Sequence, residues 1–203
     1  MLLPRAATGA VLVGGESLRF GSDKAVALFR CEPLLAHVLR GLLAQFDEVL
    51  LIAKEPERYA EYARGHVRLV ADLRSARTPL AGLEAALSAA THELVFACAG
   101  DMPLAPDAAL LDALVSAIEG HDAAVPVHDG MAQPLCALWR RPVCLPRATA
   151  LLAVDGQGPR ALLERLHTAR VPWADARPFL DVDTQQALEE LELLCAGSAP
   201  TTS

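Results

Sequence analysis

Short β-rich apolar runs alternate with helical segments from residue 9 to about residue 127 of this chain. The runs GAVLVGG, DEVLLIAK, HVRLVAD and ELVFACAGD are typical of buried strands, and a helical segment follows each of them. Parallel strands need a crossover connection, which is usually a helix. The alternation therefore predicts βαβ units and an α/β fold of three layers, with a mostly parallel sheet and helices on both faces.

The remainder of the chain departs from this simple alternation. The runs DAAVPVH and PLCALWR predict two further strands around a loop that contains Asp-Gly. VCLPRATALLA and PRALLERL predict helices, RVPWAD predicts a short strand, and TQQALEELELLC predicts a last helix with Thr184 as its N-cap. Because no linker or internal repeat interrupts the pattern, we expect residues 1–203 to form a single domain.

The charge balance restricts the partners of the protein. The chain has 203 residues, 53% of them hydrophobic, and a formal net charge of -7. A domain of this size buries a sizeable core, and its negative charge repels duplex nucleic acid. Any basic site must therefore be local and suited to a small anion, and nucleic acid is not an expected partner.

The cysteines and the apolar runs predict a cytoplasmic protein. Five cysteines occur without a CxxC pair, and Cys98 and Cys136 lie within strand-like runs where a cysteine is usually a small core residue. No run approaches the ~20 apolar residues that a transmembrane helix needs. We expect a reducing compartment and no membrane partner.

A glycine-rich stretch, LVGGESLRFGSDKAVAL, follows the first predicted strand. It contains neither the dinucleotide fingerprint GxGxxG nor the Walker pattern GxxxxGK[ST]. Gly14 and Gly15 nevertheless allow the backbone to approach a ligand closely, and Arg19 and Lys24 are natural partners of phosphate groups. From these residues alone, an anion site and an ordinary turn with solvated cations are about equally supported.

Two carboxylates follow predicted strands, Asp72 after the third and Asp101 after the fourth. Ligands of open α/β sheets bind outside the carboxyl ends of the strands. Mg²⁺ is usually held there by one or two carboxylates together with substrate phosphates. The alternative for Asp101 is a cap or turn residue before Pro103.

The glycine-rich stretch resembles the signature LAGGxSxRMGxDKxxL of nucleotidyltransferases of the molybdenum cofactor guanylyltransferase type, the MobA-like NTP transferase family. Val13 stands where the family has Ala, and Phe20 where it usually has Met. The stretch VADLRSARTPLAGL resembles the part of the family that ends in GPLAG, with Thr78 in place of the first Gly. The family implies a Rossmann-like nucleotidyltransferase fold.

The resemblance also implies roles for individual residues. Lys24 would contact phosphate oxygens, Arg19 would hold the leaving pyrophosphate, and Asp101 would bind Mg²⁺, which makes these three the implied catalytic residues. The implied nucleotide-binding residues are Leu12, Val13, Gly14, Gly15, Lys24, Asp72, Leu80, Gly82 and Asp101. The nucleotide part would span residues 9–105 and the acceptor part residues 106–195.

The later stretches resemble the family more loosely. FLDVDTQQALEELE is similar to F-x-N-x-N-T-P-E-D-L, with Asp181 and Asp183 at the asparagine positions. Asp183 is an implied metal ligand, and a charged helix N-terminus is its equally weighted alternative. Gln133, Gly158 and Arg160 are implied acceptor-binding residues, although Arg160 by itself is typical of a solvated first-turn arginine. His128 beside Asp129 is better interpreted as a turn residue than as a base.

The implied reaction is transfer of GMP from GTP to the phosphate of the molybdopterin-bound molybdenum cofactor, with release of pyrophosphate. Expected partners are GTP, the cofactor, and molybdoenzymes or their chaperones. Three alternatives stay open: the cytidylyl reaction on the same cofactor, transfer to a sugar phosphate or another small phosphate, and a non-catalytic nucleotide sensor. The GG and PLAG motifs favour GTP over CTP. The second predicted strand ends in IAKE and lacks the asparagines that the family has there.

Overall fold

A mixed eight-stranded sheet forms the centre of the fold. The computed structural model describes residues 6–14, 27–72, 74, 78–154 and 157–196. The strands are β1 (Ala7–Val13), β2 (Leu28–Phe29), β3 (Glu32–Pro33), β4 (Glu48–Ala53), β5 (Val67–Ala71), β6 (Leu94–Ala99), β7 (Ala123–His128), β8 (Met131–Ala132), β9 (Cys136–Arg140) and β10 (Thr168–Pro172). The helices are α1 (Leu34–Leu43), α2 (Pro79–Ala89), α3 (Ala108–Ala117), α4 (Arg141–Leu152), α5 (Pro159–Leu163) and α6 (Gln185–Ala196), with 3₁₀ turns at Pro56–Tyr62 and Arg177–Phe179.

The strand order confirms the expected mostly parallel sheet. It runs β10-β7-β9-β6-β1-β4-β5, with β8 added beside β7, while β2 and β3 form a separate hairpin. β1 pairs in parallel with β4 and β6, and β4 with β5. The exceptions are β9, which runs antiparallel between β6 and β7, and the short β8, which is antiparallel to β7. β1, β4, β5 and β6 therefore end at the same edge of the sheet.

Helices cover both faces of the sheet, which confirms the three layers. Alternate residues of β4 enter different cores: Leu51 packs with α1 and α3 on one face, and Leu50 packs with α2, α4 and α5 on the other. Strands that are buried on both faces read as continuous apolar runs, and this explains why the sequence signals these strands so clearly. A third, smaller core joins α6 to the start of α1 through residues that include Leu34 and Leu191.

The structure differs from the sequence expectation in local details. The segment PERYAEYARG follows the second predicted strand, so the alternation predicts a short helix there; it forms the 3₁₀ turn at Pro56–Tyr62. The β2–β3 hairpin was not predicted; it turns through Arg30 and Cys31, both with positive φ (50° and 65°). Strands of two residues carry no hydrophobic periodicity from which a sequence could predict them.

Cys98 and Cys136 are core residues, as expected. Both are fully buried in adjacent strands, and burial raises the pKa of each thiol well above its usual range. Thiols held in the protonated form are poor nucleophiles, which leaves these cysteines a packing role. Over the described residues, no helix has the length and apolar character needed to cross a membrane.

Candidate functional site

The carboxyl edge of the parallel strands brings four predicted or polar positions together. Gly14 follows β1, Lys54 follows β4, Asp72 follows β5, and Asp101 lies two residues after β6. Gly14 has a φ of 99°, which favours glycine, and a Cβ built there would lie 3.6 Å from the backbone nitrogen of Lys54. Glycine at this position therefore lets the chain turn beside Lys54, where the sequence predicts the approach of a ligand.

The start of α2 lies directly over the end of β1. Leu80 and Gly82 are buried, and a Cβ on Gly82 would lie 3.5 Å from Leu12 Cδ2. On the other side, the backbone N–H of Gly100 donates to the Leu12 carbonyl at 2.9 Å. The predicted nucleotide-binding residues of β1 and α2 are thus in contact with one another.

Asp72 is only 8% exposed, and polar partners hold its carboxylate. Its carboxylate lies 3.7 Å from Lys54 Nζ and accepts from the backbone N–H of Arg74 at 3.1 Å. Lys54 Nζ also donates to the Arg74 carbonyl at 3.1 Å. Sequence reasoning missed Lys54. The available signal was a lysine at the end of a predicted strand.

The backbone just before Asp183 contacts Asp101 at the same edge. The N–H of Val182 donates to the Asp101 carbonyl at 3.0 Å, which places Asp183 one residue from this contact. Thr184 then caps α6, as predicted, because its hydroxyl accepts from the N–H of Ala187 at 3.1 Å.

Carboxylates are the protein ligands that a hard cation such as Mg²⁺ takes together with substrate oxygens. Within the described ranges, no group of three or more His, Cys, Asp or Glu side chains is arranged to hold a metal. A pair of aspartates that leaves the other positions to phosphate oxygens is the donor set that Mg²⁺ usually takes. Asp101 and Asp183 have the side-chain chemistry for such an ion, and the Val182–Asp101 contact brings their backbones close together.

A cavity of about 360 Å³ lies beside this edge. It brings together all three predicted acceptor residues, Gln133, Gly158 and Arg160, and its wall includes Met102, the neighbour of Asp101. The remaining lining residues are Pro134, Leu135, Pro159, Phe179 and Asp181. The wall is largely apolar, with one amide, one guanidinium and one carboxylate, which is typical of a small-molecule site.

His128 lies behind the cavity wall. Its ring packs against Phe179 with centroids 5.7 Å apart, and its Nδ1 lies 2.9 Å from the Trp173 carbonyl, to which it can only donate. His128 Nε2 lies 3.5 Å from the Asp129 carboxylate. This environment agrees with the turn residue that the sequence favours over a base.

Comparison with known proteins places the chain in a family. The family model of the MobA-like NTP transferase domain matches residues 9–171. The chain belongs to this family. It is 35% identical over 195 residues to a molybdenum cofactor guanylyltransferase of Burkholderia ambifaria (strain MC40-6), covering 91% of this chain and 94% of that protein.

Solved structures share the fold of this MobA-like NTP transferase domain. Molybdopterin-guanine dinucleotide biosynthesis protein A from Archaeoglobus fulgidus matches with a TM-score of 0.77 and 24% identity, over 94% of this chain and 99% of that one. Rv0371C from Mycobacterium tuberculosis H37Rv, solved as a complex with manganese, matches with a TM-score of 0.68 and 22% identity, over 93% and 98%. The predicted Rossmann-like nucleotidyltransferase fold is thereby confirmed.

The MobA-like signature extends into residues that the structure does not describe. Gly15, Arg19 and Lys24 lie outside the described residues, so their assigned contacts remain predictions from the sequence. The described members of the nucleotide set, Leu12, Val13, Gly14, Asp72, Leu80, Gly82 and Asp101, all belong to or directly follow the elements that meet at the carboxyl edge.

Proposed function

We propose that this MobA-like transferase moves GMP from GTP to the phosphate of the molybdopterin-bound molybdenum cofactor, forming the guanine dinucleotide cofactor and pyrophosphate. One observation carries the proposal: the cavity lined by Gln133, Gly158 and Arg160 lies next to Asp101 on the edge where the parallel strands end. The 35% identity to a named guanylyltransferase over most of both chains supports the same reaction.

The nucleotide binds along β1 and the start of α2 in this proposal. The backbone of Leu12, Val13 and the two following glycines approaches the nucleotide, and the Leu80–Gly82 turn lies beside the base. Asp72, already fixed by Lys54 and the Arg74 N–H, contacts the nucleotide without a large loss of side-chain entropy on binding. Lys24 contacts the phosphates, and Arg19 holds the departing pyrophosphate.

Asp101 and Asp183 hold Mg²⁺ in this scheme. The ion supplies Lewis-acid neutralisation of the triphosphate. The backbone of Asp101 is held by the end of β6 and by the N–H of Val182, so its position is fixed before substrate arrives. Lys24 and Arg19 add positive charge where negative charge builds on the transferring and leaving phosphates.

The acceptor occupies the cavity. Arg160 pairs with its phosphate, and Gln133 and the backbone at Gly158 orient the remainder of the molecule. An acceptor phosphate oxygen attacks the α-phosphorus in line; that bond forms as the bond to the β-phosphate oxygen breaks, and the electron pair leaves with pyrophosphate. A phosphate is ionised at neutral pH, so the step needs no strong general base, consistent with the position of His128 behind the wall.

We further propose that residues 9–105 bind the nucleotide and residues 106–195 the acceptor within one domain, and that the reaction takes place in the cytoplasm. The finished cofactor is then passed to molybdoenzymes or their chaperones. The absence of paired cysteine spacing favours a reducing compartment. The shared sheet supports the single domain, because β9 of the acceptor part inserts between β6 and β7.

Pyrophosphate release tests the proposal. The assay contains Mg²⁺ and molybdenum cofactor, with GTP, CTP, ATP and UTP tested separately. We expect release with GTP only. Release with CTP alone would replace the base assignment, and nucleotide binding without acceptor-dependent release would favour another acceptor or a sensor.

A matched pair of variants tests the role of Asp101. We expect Asp101→Asn to lower turnover about 10²–10³-fold, the usual loss when one such charge-stabilising group is removed. Asp47→Asn is the control, because Asp47 is exposed and lies just before β4, at the opposite end of the strands. An Asp101→Asn protein with more than half of the wild-type rate would contradict the assignment.

A further inference from the structure

The hydroxyl of Thr78 has two hydrogen-bonding roles. Thr78 precedes α2 with extended backbone angles (φ -134°, ψ 143°), and its Oγ1 accepts from the N–H of Leu80 at 3.3 Å as an N-cap. A hydroxyl carries one donor in addition to its acceptor lone pairs. Capping the helix therefore leaves the hydrogen of this hydroxyl for another partner.

That partner belongs to the acceptor side of the molecule. Thr78 Oγ1 donates to the carbonyl of Gln157 at 2.8 Å, across 79 residues of sequence. A Cβ on Gly158 would lie 3.9 Å from the same oxygen. Gly158, Pro159 and Arg160 follow immediately and line the cavity. One hydroxyl thus joins the helix start that covers β1 to the wall of the cavity.

Other bonds join α2 to α4 through residues that do not line the cavity. Glu84, in the middle of α2, accepts from the hydroxyl of Thr149 on α4 at 2.9 Å. Arg141 Nε donates to the carbonyl of Leu87, near the end of α2, at 2.9 Å. Neither bond involves Thr78, so we expect the packing of α2 on α4 to persist when Thr78 is changed.

We propose that Thr78 is a positioning residue, whose bond to Gln157 fixes the Gly158–Arg160 wall of the acceptor cavity relative to the bound nucleotide. The inference rests on the proposed function for its catalytic consequence. The family signature has glycine at this position, so the bond is a feature of this chain. A wall held by this bond keeps Arg160 at a constant distance from the end of β1, and therefore aligns the acceptor with the α-phosphorus.

The variant Thr78→Gly removes this bond with little other change. Glycine is among the residues preferred at an N-cap, so the loss of the threonine cap affects α2 little, and the extended backbone here suits glycine. Thr78→Ser keeps both roles of the hydroxyl. Thr149→Val is the matched control, because it removes a threonine hydroxyl that also joins α2 to the acceptor side but lies away from the cavity.

Steady-state kinetics gives the first measurement. We expect Thr78→Gly to lower kcat/KM for the molybdenum cofactor about 3- to 10-fold, the range of one neutral hydrogen bond, with the Kd for GTP within about twofold of wild type. Thr78→Ser should restore the wild-type value, and Thr149→Val should match wild type. Equal kcat/KM values for Thr78→Gly and an active wild type would overturn the proposal, as would a parallel loss of GTP affinity.

Hydrogen exchange separates this inference from the proposed reaction. We expect the amides of residues 157–163 to exchange about 3- to 10-fold faster in Thr78→Gly, and unchanged in Thr149→Val, since one neutral hydrogen bond is lost. Unchanged exchange in Thr78→Gly would overturn the positioning role. Faster exchange in a protein that shows no acceptor-dependent pyrophosphate release would support it and would reject the proposed reaction instead.

Discussion

Gly100 sets the geometry next to Asp101 at the scale of a single residue. A Cβ built on Gly100 would lie 2.5 Å from Val13 Cγ1 and 3.4 Å from the Leu12 carbonyl oxygen. The N–H of Gly100 donates to that same carbonyl at 2.9 Å. Val13, which stands where the family usually has alanine, therefore lies so close to position 100 that any residue other than glycine would displace it.

This contact predicts an energetic coupling between the two residues. We expect Gly100→Ala to lower the free energy of unfolding by about 1–3 kcal/mol, because the added methyl overpacks against Val13. Val13→Ala in the same chain should recover most of that loss, giving a coupling of about 1 kcal/mol or more. Denaturant unfolding of the four proteins measures the cycle, and additive losses would show that Val13 is not the obstacle.

Some of the site could be predicted one residue at a time, and some could not. Asp72 and Asp101 were predictable, because a carboxylate after a buried parallel strand must emerge at the carboxyl edge. The pairing of Lys54 with Asp72 was not, because it depends on the register of β4 against β5, which no local pattern specifies. Gln133, Gly158 and Arg160 were identified only through the family resemblance.

At the scale of secondary-structure elements, Glu48 joins several strands at the end of the sheet opposite the site. Its carboxylate accepts from the buried Thr8 hydroxyl of β1, from the Thr91 N–H at 3.0 Å, and from Arg68 of β5 at 2.9 Å. His92 Nδ1 lies 3.2 Å away. Burial by itself would raise the pKa of Glu48, but the hydrogen bonds outweigh it and lower the pKa to about 2.

The lowered pKa predicts a contribution to acid stability. A carboxyl group that titrates near 4.5 when unfolded and near 2 when folded stabilises the fold above about pH 4.5. That contribution, up to about 3 kcal/mol, is lost as the pH falls towards 2. We expect Glu48→Gln to lower stability at pH 7 and to flatten the decline between these pH values.

Unfolding midpoints across pH provide the measurement. Glu61→Gln is the matched control, because Glu61 is exposed in the 3₁₀ turn at Pro56–Tyr62. We expect the control to follow the wild-type curve. A Glu48→Gln protein that declined in parallel with wild type over this range would mean that Glu48 titrates alike in both states.

The elements themselves were predictable in proportion to their burial. β4 and β6 are covered on both faces, and their apolar runs identify them directly. The placement of β9 between β6 and β7 was beyond sequence reasoning, because an antiparallel insertion depends on long-range pairing and not on local periodicity.

At the scale of the whole molecule, α6 connects a small core cluster to the carboxyl edge of the sheet. Leu188 and Leu191 of α6 pack with Phe29 and Leu34 in a separate core cluster. The segment just before α6 contributes Asp181 to the cavity and, through the Val182 N–H, a bond to the Asp101 backbone. The three layers followed from the strand–helix alternation, but this packing did not, because it joins residues that are far apart in the sequence.

A pair of leucines on α6 tests whether this anchoring matters for catalysis. Leu191 is 1% exposed and Leu193 is 73% exposed, so truncating each to alanine separates anchoring from a change on the helix surface. We expect Leu191→Ala to lower the free energy of unfolding by about 2–5 kcal/mol and Leu193→Ala by less than about 0.5 kcal/mol. A loosened α6 should also position Asp183 poorly. The Mg²⁺ concentration for half-maximal pyrophosphate release should therefore rise in Leu191→Ala and stay at the wild-type value in Leu193→Ala. Both variants are measured under conditions in which they remain folded. A destabilised Leu191→Ala protein with unchanged Mg²⁺ dependence would mean that Asp183 does not serve the ion, and Asp101 would then be its remaining protein ligand.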